Sequence, residues 1–149
     1  MHTIHPMKQT TPFTERTVHR YYLDGDLNCA EAVLYGSNEH YRLGLDSHGL
    51  LLSAGFGGGM GIESVCGALT GALMALGVLF VEQRAHEGEA MKCLAGEFLQ
   101  KFAELHGSIM CRDLKEAHFD ERKRCAAVVR MAAGLLESFI EEKQELRVR

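Results

Sequence analysis

Proline is almost missing from this sequence. It occurs only at positions 6 and 12, so helices beyond that point run without proline breaks. No stretch alternates apolar and polar residues with period two, and no sheet is expected. Basic excess is also missing: the net charge is −4, and no basic stripe interleaves with aromatics. Both features argue against nucleic acid as a partner. The opening stretch MHTIHPMKQTTPF has neither an apolar core nor a small-residue cleavage pattern. It does not read as a signal peptide, and the expected compartment is the cytoplasm, where stable disulfides are rare. No C-x-x-C occurs, which removes zinc-finger and thioredoxin spacings, and no C-x-x-C-H occurs, which removes covalent haem. Internal repeats and linkers are absent.

What remains is a chain of 149 residues, 46% hydrophobic and 24% charged, long enough to bury a core without staples. Residues 1–11 read as a disordered tail, and 12–149 as a single all-α domain of six to seven helices around a central apolar helix, 63–81. Thr14 is expected to cap the first helix, which carries Val18, Tyr21 and Tyr22 and ends near Gly25. Asn28 caps the next, with Glu31 three residues on as its capping-box partner, and this helix runs to about Leu43. Asp46 or Ser47 caps a short helix through Leu50–Leu52. Five glycines in the seven residues 55–61 cannot hold a regular helix. The uncharged run Val65–Val81 barely reaches membrane-spanning length. Its many small residues favour a buried central helix over a span. Charged helix 84–106 follows, then a short helix from Cys111 to about Ala117. A last helix, capped by Asp120, presents Ala126, Val129, Ala133, Leu136 and Ile140 at helical spacing. Helix 84–106 or the last helix offers a face for a homodimer.

Five cysteines occur: Cys29, Cys66, Cys93, Cys111 and Cys125. Cys29 follows the Asn28 cap, Cys66 falls in the first turn after Glu63-Ser64, and Cys111 opens a helix. Free N–H groups and partial positive charge at helix N-termini lower a thiol's pKa, and the thiolate is both nucleophile and metal ligand. The plainer alternative for any one cysteine is packing as a small hydrophobe. Chain reach lets Cys66 return near Cys29. The turn at His118-Phe119 sets Cys111 opposite Cys125. Cys93, among Met91, Leu94 and Ala95, reads as core.

Gly57, Gly58 and Gly59 form a candidate cofactor-binding or anion nest. No strand precedes them and no Gly-Lys-Ser/Thr follows, so nucleotide binding is disfavoured. The alternative is that these glycines let backbone approach Cys29 and Cys66. Gly67, Gly71 and Ala75 make a small-residue strip for close helix packing. His118 stands between Cys111 and Cys125 as a candidate base or ligand, against a plain turn-capping role. Arg112 beside Cys111 is either a thiolate partner or half of a solvated ion pair with Asp113. His2 and His5 lie in the tail.

The pieces Asn28-Cys29-Ala30-Glu31-Ala32-Val33, Gly55-Phe56-Gly57-Gly58-Gly59-Met60-Gly61, Cys66-Gly67-Ala68-Leu69-Thr70-Gly71-Ala72, Cys111-Arg112-Asp113-Leu114 and Cys125 occur in that order. Over about residues 15–137 the chain resembles the C-GCAxxG-C-C family of redox-active proteins. The resemblance implies Cys29, Cys66, Cys111 and Cys125 as the family's four cysteines and leaves Cys93 outside. Three functions follow as alternatives. One is thiol–disulfide redox chemistry with Cys29/Cys66 and Cys111/Cys125 as pairs, acting with a redox partner protein or a small thiol. The second is binding of Zn²⁺ or an iron–sulfur cluster by the same four cysteines as metal ligands. The third is a structural helical domain with buried free cysteines.

Overall fold

The computed structural model describes residues 11–87 and 89–148. The chain is all-α, with seven helices and no strand among the described residues. The expected tail lies outside them, apart from Thr11.

Helix α1 begins as Phe13–Glu15 and continues as a π-helix, Arg16–Leu23. Pro12, not Thr14, stands at its N-terminal boundary. The fixed proline φ suits that position, the Pro12 carbonyl accepts the N–H of Arg16 at 3.0 Å, and Thr14 turns its hydroxyl to Glu15. Helix α2 (Cys29–Tyr41) opens on the expected capping box. Asn28 Oδ1 accepts from Glu31 N, and Asn28 N donates to the Glu31 carboxylate, both at 2.9 Å. It ends two residues earlier than expected because Arg42 turns left-handed. Asp46 caps α3 (Ser47–Leu51) through the N–H of Gly49 at 2.8 Å.

The central apolar helix α4 spans Gly67–Phe80, not 63–81. Glu63 has φ 56, and Val65 pairs as an isolated β-bridge with Met110. That pairing takes the backbone groups a helix at 63–66 would need. No helix among the described residues is long and apolar enough to cross a membrane. Ala68, Leu69, Ala72, Ala75 and Leu76 of α4 are wholly buried. Each buried leucine contributes roughly 1.5–3 kcal/mol.

Helix α5 is Ala90–His106; only a 3₁₀ turn, Ala85–Glu87, precedes it. There Glu87 captures the N–H groups of Gln83 and Arg84. Helix α6 is Cys111–His118. Helix α7 (Ala126–Val148) starts later than its expected cap. Asp120 instead caps a turn by accepting from Arg122 N and Lys123 N, and Arg124 at φ 54 closes that turn by pairing back onto Asp120. Val129, Ala133, Leu136 and Ile140 of α7 are buried against the same core.

Helices α2 and α4 make the closest contact. A β-carbon on Gly71 would stand 2.5 Å from the carbonyl oxygen of Ala30, so only glycine admits this approach. The small-residue strip thus serves packing, and it fixes the N-terminal ends of α2 and α4 against each other.

Candidate functional site

All four family cysteines stand at helix N-terminal ends. Cys29 is the first residue of α2, and Cys111 the first of α6. Cys66 occupies the N-cap of α4, with its carbonyl accepting from Leu69 N at 3.0 Å and Thr70 N at 3.1 Å. Cys125 directly precedes α7, and its carbonyl accepts from Val129 N at 3.0 Å. The sequence places only three of them so, because it starts the last helix at Asp120.

Two contacts bring three of these ends together, and a third ties the α7 end to α1. Around the Val65–Met110 bridge, Cys66 N donates to Ile109 O at 2.8 Å and Cys111 N donates to Ser64 O at 2.6 Å. Cys66 and Cys111 therefore ride on paired backbone. Against α4, the sulfur of Cys29 lies 2.6 Å from where a β-carbon on Gly67 would be. At α7, the N–H of Cys125 donates to the hydroxyl of Tyr22 at 3.0 Å. All five cysteines are free thiols.

Burial governs their acidity. It pushes the Cys66 thiol up to about 12, with neighbouring Cys29 adding to the rise. The N–H groups of Ala68 and Leu69 act in the opposite direction without outweighing it. Burial also raises the Cys111 and Cys125 thiols, and again Cys29 is the next cause. The expected lowering at helix N-termini is thus overturned for Cys66 and Cys111, and Cys125 at the start of α7 shifts the same way. Partial charges at a helix end are worth less than removal of a thiolate from water and from the repulsion of other sulfurs. Cys29 is the common neighbour of the cluster.

Two charged side chains flank it. Lys115, one turn after Cys111, holds Glu63 at 3.2 Å. The ammonium lowers Cys111 and Cys125, and the Glu63 carboxylate raises Cys111.

The glycine segment packs against the cluster. A β-carbon on Gly57 would meet the Asn28 side chain at 2.5 Å, and one on Gly59 would meet the β-carbon of Cys111 at 2.8 Å. Gly58, by contrast, faces open space at φ +63. Left-handed backbone also occurs at Met60, Gly61 and Glu63. Gly57 and Gly59 thus admit backbone close to Asn28 and Cys111.

Cys93 is not core: it is exposed on α5, beside Leu94, Glu97 and Lys143. Its apolar sequence neighbours misled, because Phe98 and Phe102 are the residues that α5 buries. Asp113 accepts from Ser108 Oγ at 2.8 Å, which gives its carboxylate a partner other than Arg112. His118 closes α6 next to His106. Among the described residues, no group of three or more His, Cys, Asp or Glu is arranged to hold a metal ion.

Tyr22 is the residue at the cluster that sequence reasoning missed. It lies on the π-helical segment Arg16–Leu23, whose buried residues are Thr17, Val18 and Tyr22.

A search of curated proteins and of solved structures finds no match to the chain. A family model described as "Putative redox-active protein (C_GCAxxG_C_C)" matches residues 27–139. The matched segment spans all four clustered cysteines. The chain belongs to this C_GCAxxG_C_C family.

Proposed function

We propose that the chain is a thiol–disulfide redox protein in which Cys29 attacks, Cys66 resolves, and Cys111 with Cys125 forms a second pair. The observation that carries this reading is the contrast between half-buried Cys29 and Cys66, which is only 5% exposed with a thiol pushed up to about 12. A buried, protonated thiol beside a more accessible one suits the resolving role, because the attacking sulfur must be reachable and deprotonated.

The exchange balances with a disulfide substrate of a protein or small molecule. The Cys29 thiolate attacks one substrate sulfur, a mixed disulfide forms, and the first substrate thiolate leaves. Cys66 then attacks the Cys29 sulfur, and its proton passes to the substrate thiolate already released. The intramolecular disulfide forms and the second substrate thiolate leaves. Two electrons pass to the substrate, and a thiol reductant returns them in the reverse sequence.

Oxidation with diamide, followed by alkylation under denaturing conditions and peptide mapping, tests it. The expected result is loss of four thiols, with Cys29–Cys66 and Cys111–Cys125 linked peptides that dithiothreitol dissolves. Five free thiols after oxidation would overturn the reading. Stoichiometric zinc or iron in anaerobically purified protein would replace it with metal binding.

A further inference from the structure

We propose that Tyr22 is a positioning residue of the thiol centre: its hydroxyl accepts the backbone N–H of Cys125 and turns its own proton to the Cys125 sulfur, holding the thiolate form of that cysteine. The inference rests on the thiol–disulfide reading and adds a residue outside the family match, which begins at residue 27.

Four observations support it. The Tyr22 oxygen lies 3.0 Å from Cys125 N. That bond uses the oxygen as acceptor and sets it beside Cys125, so the phenolic O–H is left to donate, and Tyr22 acts to lower the Cys125 thiol. The ring is only 5% exposed, and burial raises the phenol's pKa, which keeps the donor proton in place. The ring is also clamped. Arg124 lays its guanidinium over it, 4.4 Å from the centroid, and donates to the Tyr22 carbonyl at 2.9 Å. Finally, Tyr22 sits on an eight-residue π-helix, a winding frequent at functional sites.

The consequence falls on one redox step. When an external thiolate attacks the Cys111 sulfur of a Cys111–Cys125 disulfide, a new bond forms to Cys111 and the S–S bond breaks. Its electron pair leaves on Cys125. The Tyr22 O–H stabilises that thiolate as it forms, before it takes up the proton that burial favours. The charged or titratable groups around that sulfur are Cys29 from α2, Cys111 and Lys115 from α6, and Tyr22 from α1.

The test is Tyr22→Phe, which removes the hydroxyl and keeps the ring. Iodoacetamide labelling of the reduced full chain, resolved by peptide, is followed across pH. A hydrogen bond to a charged group favours the thiolate, and lost nucleophilicity offsets part of that gain. Labelling of Cys125 should slow about threefold or more at neutral pH, with its profile moved to higher pH. Cys93 should be unchanged. An unmoved Cys125 profile, or an equal change at Cys93, would overturn the inference. Should Tyr22→Phe fail to fold, 3-fluorotyrosine in the wild-type chain strengthens the donor. It should speed Cys125 labelling selectively, and no effect there would also overturn the inference. Labelling requires no turnover, so an absence of disulfides on oxidation would sink the redox reading alone.

Discussion

The sulfur of Cys29 occupies the space that a side chain on Gly67 would take, 2.6 Å from the position of its β-carbon, and the Phe56 carbonyl oxygen closes the same space at 2.8 Å. Gly67→Ala must therefore displace both a thiol and a piece of backbone. The expected cost is about 1–3 kcal/mol, the range for overpacked sites, measured as a lowered urea midpoint. Cys29 should also label faster as it is pushed outward. Gly96→Ala on α5, where nothing lies within 4 Å, is the control. It should stabilise by roughly 0.5–1 kcal/mol, the helix advantage of alanine over glycine.

The raised thiol of Cys66 fixes the direction of a pH effect. Its folded value, about 12, lies above the ordinary 9.0. The native protein thus keeps this proton after the unfolded chain has lost it. The stability contribution is fully present below pH 9.0 and is lost as pH rises toward about 12. Cys111 and Cys125 add the same sign. Urea unfolding of reduced protein at successive alkaline pH values should show falling stability, with a shallower fall in Cys66→Ala. Stability that is flat or rising above pH 9.0 would contradict the assignment of burial as the dominant cause.

Glu63 and Lys115 act on Cys111 with opposite signs. Lys115→Met should slow Cys111 labelling at neutral pH, and Glu63→Gln should speed it. Each change should be about two- to fivefold, the scale of an exposed ion pair. Lys115→Arg should keep most of the wild-type rate. Both side chains are about half exposed, at 48% and 47%, so the differences should shrink in high salt. Loss of a merely structural ion pair would move the rate the same way from either end, and opposite signs separate the two.

Much of the fold is legible from local chemistry. The capping box at Asn28 and Glu31 and the cap at Asp46 operate as their residue types dictate, because each cap satisfies orphan N–H groups within three residues. The apolar run of α4 becomes the buried centre for lack of any polar face. At the start of α4 a contact distant in sequence intervenes. Val65 pairs with Met110 and shortens α4, and no local pattern near residue 65 records that partner. Cys93 carries apolar neighbours yet lies on the exposed side of α5, because Phe98 and Phe102 claim the core.

The sequence by itself determined the all-α class, the four cysteines of the family and the placement of three of them near helix starts, since spacing, capping residues and glycine content are local properties. Only the tertiary structure decided what those starts do to the thiols. It brings the ends of α2, α4, α6 and α7 near Cys29, sets Tyr22 beside Cys125, and takes the thiols of Cys66, Cys111 and Cys125 partly or wholly out of water. The pKa values of Cys66, Cys111 and Cys125 therefore rise where helix position alone predicts a fall. Desolvation and mutual repulsion depend on which groups share a volume, and chain folding assembles that volume from segments about a hundred residues apart, such as Tyr22 and Cys125.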